Sequence, residues 1–330
     1  MAVASVGLPT PGVRIGRPAL VIAALAVLAL AAVACFMLLG ARGNWAFVLP
    51  FRGAKLLGLV LVAYSIAVST VLFQTVTNNR ILTPSIMGFD ALFILIQTVI
   101  VFFFTSRTLA VMDARLQFLA ELAAMVGFSV LLFRWLFVGG GRSLHLLVLV
   151  GIVFGVLFRS LAELMQRMMD PNEFMVLQDS FFASFNSIDR TLLGISTVVV
   201  ALASVALWRL HRSLDVLSLG RAAAIGLGED YRATVMKLLV IMAVLVSVST
   251  ALVGPVTFFG LLVVSLAHAL TGDGRHRHVL PASILVAIIC LVGGQTLMER
   301  VFSFGTALSI IIEFLGGLVF ILLVVRGAAR

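Results

Sequence analysis

Ionisable side chains are scarce in this chain. Only 11% of its 330 residues are Asp, Glu, Lys or Arg, whereas 62% are hydrophobic and the mean hydropathy is +1.20. A folded chain of this length still exposes a large area, so that composition excludes a water-soluble domain. Also missing are the short segments of alternating polarity that a membrane β-barrel needs. The apolar stretches are continuous runs of roughly 20 residues, as a helical integral membrane protein requires. Cysteine is nearly absent: Cys35 and Cys290 both fall inside apolar runs, which excludes a disulfide framework and makes them packing residues. No glycine-rich phosphate loop followed by Lys-Ser or Lys-Thr occurs, so the chain does not bind ATP itself. No catalytic constellation appears either, and no cofactor is expected. The net charge of +9 does not point to nucleic acid, because the basic residues stand singly between apolar spans, where they set orientation.

What is present reads as one all-α integral membrane domain over 19–330, behind a cytoplasmic tail over 1–18. The apolar runs give about ten transmembrane helices: 19–40, 55–77, 85–105, 116–138, 143–166, 190–208, 235–253, 255–271, 280–298 and 306–326. The first, preceded by Arg14 and Arg17, lacks a convincing small-residue cleavage site and is a retained helix, not a signal peptide. With both termini in the cytoplasm, fourteen of the 23 basic residues fall on the cytoplasmic side. Trp45 then marks the outer interface, Trp208 and Tyr231 the inner one. An inverted repeat is also suggested. Arg52 precedes Ser69-Thr70, and Arg232 precedes Ser249-Thr250, by the same interval on helices that run oppositely, the arrangement of alternating-access transporters.

Few residues inside the spans could carry chemistry. Asp90 and Glu313 are candidate membrane acids, and Glu313 is the more conspicuous, following three isoleucines. A stand-alone ion-coupled transporter would use Glu313 as its coupling acid, but no matching intramembrane cation accompanies it. Gly272–His278 contains two of the five histidines and is read as a solvated, orienting loop in preference to a metal site. Ser65, Ser69, Thr70, Gln74 and Thr77 mark a helix face turned toward other helices, and Gly151-x-x-x-Gly155 permits close helix approach. In the segment 159–189, Arg159, Glu163 and Arg167 extend a helix past the bilayer before Asp170-Pro171 stops it. A short amphipathic helix capped by Asn172 follows. About 167–189 is expected to form an outer mouth, with Ser160, Met165, Met169 and Glu313 as candidate pathway lining.

The stretch Leu214–Gly228 is a polar island between apolar blocks, with the composition of two short helices joined at Gly220. A membrane protein that keeps such a knob on one face is offering it to a partner.

Several phrases then resemble one family. Leu49-Pro50…Lys55, Ser69–Gln74 and Thr77-Asn-Asn-Arg-Ile-Leu-Thr-Pro-Ser-Ile-Met-Gly88 are similar to permeases of iron–siderophore and vitamin B12 ABC importers. Leu214–Gly228 looks like that family's coupling loop, Gly254–Val263 like its signature between spans seven and eight, and Thr306–Val325 like its last helix. The resemblance implies a type II ABC importer permease fold in a bacterial inner membrane and a ferric siderophore as cargo. It implies as partners a pair of ABC ATPase subunits that hold ATP and Mg, a second permease chain, identical or homologous, and a periplasmic substrate-binding protein. Leu219, Gly220, Arg221, Ala222, Ala223, Gly228 and Glu229, within a coupling loop at about 210–232, would dock in the ATPase. Arg52, Lys55 and Arg300 would meet the binding protein. The family usually carries an acid where Arg221 stands, and often a proline where Leu318 stands.

Overall fold

The computed structural model describes residues 17–40, 45–138, 144–179, 181–185, 188–301 and 308–328. The expected tail, with Arg14, and Arg142 lie outside the described residues, as does the expected start of the last span. Every one of the expected spans falls on a helix. In chain order these are α1 (Arg17–Leu38), α2 (Trp45–Thr77), α3 (Phe89–Val111), α4 (Ala114–Val138) and α5 (Leu144–Arg167). After a short α6 (Pro171–Asp179) come α7 (Arg190–Leu217), the small α8 (Arg221–Gly226), α9 (Tyr231–Val253), α10 (Phe259–Thr271), α11 (His276–Arg300) and α12 (Leu308–Ala328). A 3-10 turn, Pro84–Met87, precedes α3. Among the described residues, seven helices are long and apolar enough to cross a bilayer, and the apolar parts of α3 and α10, Phe89–Thr105 and Phe259–Thr271, are shorter.

The differences from the expected boundaries have local causes. The sixth span does not stop at 208, because Leu207, Leu214 and Leu217 continue a buried stripe that carries α7 beyond the apolar run. The first of the two short helices expected in 214–228 is therefore the end of α7. α10 begins four residues later than expected, because the chain leaves the helix at Gly254 (φ 101°) and passes through Pro255. α6 starts at Pro171, with Asp170 Oδ1 accepting from the Asn172 N–H, so Asp170 caps the helix and Asn172 does not.

α2 and α9 form the centre. α9 and one face of α2 dominate a core shared with α3, α4, α5 and α7. The other face of α2 packs with α1, α10 and α11 in a second core that α9 reaches, among its buried residues, only through Val253. The two helices run antiparallel. Gly58 near the start of α2 faces Ile188, and the Ser184 N–H donates to the Val253 carbonyl at the end of α9. At the opposite end, Gln74 and Thr75 of α2 share a pocket with Ser218 and Leu219, just ahead of α8. α3 leaves the middle of this crossing toward α5's last turn, where Gln166 Nε2 donates to Thr98 Oγ1 at 2.9 Å, and α10 leaves toward the α8 end. Long helix, break and short helix thus occur twice in opposite directions, the architecture of an inverted repeat.

Glycine seats the break before α3. A Cβ on Gly155 would sit 3.1 Å from Gly88 Cα, and one on Gly151 3.1 Å from Met87 Cα, so the Gly-x-x-x-Gly face of α5 receives the 3-10 turn. Gly88 itself has φ 88°, a conformation that side chains disfavour.

Asp189 caps α7, accepting from Thr191 N–H at 2.6 Å and Leu192 N–H at 3.1 Å. Those donors, Leu192 first, hold its carboxyl below the usual carboxylate range. Because the folded value is lowered, this stabilisation is complete above the unfolded carboxylate pKa and is lost as pH falls through the folded one. Asp189→Ala should cost about 1 kcal/mol at neutral pH. In thermal unfolding, the gap between variant and parent should close in strongly acidic buffer.

Candidate functional site: a coupling knob and the struts behind it

The six residues of α8 are held between two glycines in positive-φ conformations, Gly220 (φ 92°, ψ 165°) and Gly228 (φ 85°). Gly220 occupies a region essentially closed to residues with a Cβ, so it turns the chain sharply out of α7 and into α8. The Ala224 side chain is fully buried and belongs to the core cluster that contains Leu214 and Leu217, which seats the knob on the end of α7. The remaining surface points outward: Leu219 is 63% exposed, Ile225 53% and Leu227 65%, with Ala222 and Ala223 also exposed. Exposed aliphatic residues on a polar loop form a small apolar contact surface of the kind that docks in a fitted cleft.

Charged neighbours fix the base of the knob. The Arg221 guanidinium lies 5.9 Å from the Tyr231 ring centroid, a cation–π contact linking α8 to α9. Glu229 Oε1 accepts from Thr234 Oγ1 at 2.7 Å, and Asp230 Oδ1 accepts from the Ala233 N–H. Glu229 is therefore committed to the start of α9. Arg221 is exposed on α8.

Behind the knob, a histidine that the sequence reading assigned to a solvated loop is buried. His276 opens α11, with Nδ1 2.6 Å from Asp215 Oδ1 in the last turn of α7 and Nε2 2.7 Å from Thr75 Oγ1 in α2. Its backbone N–H also donates to Asp215 at 3.0 Å. Three helices are thereby pinned together two turns before α8, beside a cavity of about 580 Å³ that Arg80, His268 and Arg275 also line. His276→Ala removes the side-chain bridge, while Asp215 keeps the residue-276 backbone N–H and Thr75 keeps its bond to the Val71 carbonyl, so the cost in thermal unfolding is about 1 kcal/mol. His278 pairs with Asp273 at 2.7 Å within the preceding turn.

At the far end, two of the three basic positions assigned to binding-protein contact have partners inside the chain. Arg52 Nη1 donates to the carbonyls of Phe36, Met37 and Leu39, and Nη2 to that of Gly40, closing the C-terminus of α1. Lys55 pairs with Glu299 at 2.5 Å, with side chains only 12% and 14% exposed. Arg300 is exposed at the end of α11, its guanidinium over Gly40. Ser160 lies on the exposed face of α5, and Met165 and Met169 are half-buried. Glu313, half-buried on α12, accepts from the Thr257 N–H in the break between α9 and α10. It bonds to a neighbouring element, the ordinary role of a membrane acid. A further membrane acid, Glu121 of α4, is 2% exposed and accepts from Gln97 at 2.7 Å and Gln117 at 2.8 Å.

Comparison with known proteins gives the family and the fold. The chain is 49% identical over 284 residues to the petrobactin import system permease protein YclO of Bacillus subtilis, covering 86% of this chain and 90% of that one. It is 35% identical to the petrobactin import system permease protein FatC of Bacillus anthracis, covering 84% and 78% respectively. The vitamin B12 import permease BtuC of Vibrio parahaemolyticus is 27% identical, over 84% of this chain and 82% of that protein. In fold, the chain matches a solved inward-facing structure of a metal-chelate type ABC transporter with a TM-score of 0.81 at 21% identity, over 94% of this chain and all of the other. The model of the FecCD transport family matches residues 18–326, and the chain, an all-helical membrane permease, belongs to that family.

Proposed function

We propose that the chain is the permease subunit of an ATP-driven importer that moves a ferric siderophore of the petrobactin class into the cell. The observation that carries this is α8: a short helix between two positive-φ glycines that presents Leu219, Ile225 and Leu227 to a partner. Its relatives at 49% and 35% identity are named as petrobactin import permeases, which supplies the cargo class. Two permease chains, identical or homologous, work with a pair of ATPase subunits that bind ATP and Mg, and with a substrate-binding protein outside the membrane. Both termini face the cytoplasm, on the side of α8. Closure of the ATPase pair moves the docked knobs, and the struts through His276 pass that movement to α2 and α11. The amphipathic, largely exposed α5, bearing Ser160, Met165 and Met169, lines the pathway between the two chains. On the outer surface Arg300 meets an acidic residue of the binding protein, while Arg52 and Lys55 brace the ends of α1, α2 and α11 from within.

A deletion strain fed ferric petrobactin as sole iron source tests the assignment: growth should fail and return with the gene. Growth that is unaffected, with ferric petrobactin uptake intact, would refute it. Glu313→Gln should leave ATP-driven uptake within about two-fold of the parent, because an amide keeps the bond from Thr257, and a neutral hydrogen bond to a charged acceptor differs by only about 1 kcal/mol. Complete loss of uptake in that variant would favour ion coupling through Glu313.

A further inference from the structure

Where α2 crosses α9, at the starts of α3 and α10, lies a cavity of about 20 Å³, room for one water-sized guest. Its wall includes Ser69 and Thr70 from one repeat, Ser249 and Thr250 from the other, Asp90 from the first turn of α3 and Thr257 from the break before α10. Asp90 is only 7% exposed, and its Oδ2 is buried without a hydrogen-bond partner. The hydroxyls of Ser85 and Thr257 lie beside the carboxylate. A buried carboxylate oxygen left in this state needs a guest.

The chemistry of the wall narrows what that guest is. Ser69 Oγ donates its proton to the Ile66 carbonyl at 3.1 Å, and Ser249 Oγ donates to the Val246 carbonyl at 2.9 Å. With those protons spent on their own helices, both hydroxyls turn lone pairs to other neighbours. No basic residue lines the cavity. The charged groups whose fields reach Asp90 are Glu313 and Arg159. Hydroxyl and carboxylate oxygens around a one-atom space suit a small hard cation.

We propose that this cavity is a Na⁺ site, with Asp90 as its charged ligand and the hydroxyls of Ser69, Thr70, Ser249 and Thr250 around the ion. The ion ties the two helix starts to the central crossing, and its role is structural, independent of the transport reading above. The test is thermal unfolding of the full chain in nanodiscs, in NaCl, KCl or choline chloride at equal ionic strength, with ²²Na⁺ binding measured alongside. Na⁺ should raise the midpoint saturably while choline does not, Asp90→Asn should lose that response, and Ser249→Ala should raise half-saturating Na⁺ about 10-fold. Equal midpoints in NaCl and choline chloride, with no saturable ²²Na⁺ binding, would overturn the proposal and leave the cavity to water. If Asp90→Asn does not fold, Ser249→Ala decides alone, since an unchanged half-saturation contradicts a site built from that hydroxyl.

Discussion

A chain carrying Ala223→Trp is expected to insert, fold and unfold like its parent and yet to lose most siderophore uptake. The reason lies in where the methyl group points. Ala223 is exposed on α8 and belongs to neither core cluster, so a larger side chain there strains nothing within the chain. In a fitted partner cleft, the same bulk costs about 1–3 kcal/mol, as overpacking does, which weakens docking by about 5- to 150-fold. Co-purification of the ATPase with the membrane chain, measured beside uptake, separates failed docking from failed folding. Ala224→Trp is the internal control. That neighbour is fully buried against the end of α7, so its replacement should lower the unfolding midpoint itself.

The second large effect is expected at the other glycine-dependent contact. Gly155→Leu drives a side chain into Gly88, whose Cα would already lie 3.1 Å from a Cβ at position 155. Gly88 cannot move aside easily, because its φ of 88° fixes the turn between Pro84–Met87 and α3. Overpacking at such a contact costs about 3 kcal/mol. Gly155→Ala should lose roughly 1 kcal/mol, since only a few tenths of an ångström must be given up. Thermal unfolding of the three chains in detergent should therefore fall in the order Gly, Ala, Leu. The same midpoint for all three would mean that the α5 contact does not hold the 3-10 turn.

The apolar runs were legible because a bilayer demands unbroken hydrophobic length, and each run became a helix. Their ends were less legible. The run of α7 stops near Trp208, but Leu214 and Leu217 bury against the core, and only the packed structure shows that this face is covered. The breaks at Gly88 and Gly254 could be suspected from glycine beside proline, while the convergence of both breaks on one cavity required the three-dimensional crossing. The exposed knob of α8 was legible as a polar island flanked by Gly220 and Gly228. His276 was not, because a histidine among arginines and glycines looks solvated until Asp215 and Thr75 are brought to its two nitrogens. Arg52 and Lys55 were legible as charges at the outer edge. Their partners are α1 carbonyls and a glutamate 244 residues away, and no local pattern announces either. Glu121 escaped notice because its two glutamine partners lie on α3 and on its own helix, one of them 24 residues distant.

Reconstitution tests the central claim most directly. The permease, its ATPase and its binding protein are placed in proteoliposomes, and accumulation of ⁵⁵Fe-siderophore is followed with and without ATP. Uptake should require both ATP and the ATPase, and should vanish with Ala223→Trp although the vesicles hold the same amount of chain. Accumulation by the permease alone, driven by a Na⁺ or proton gradient, would contradict the account.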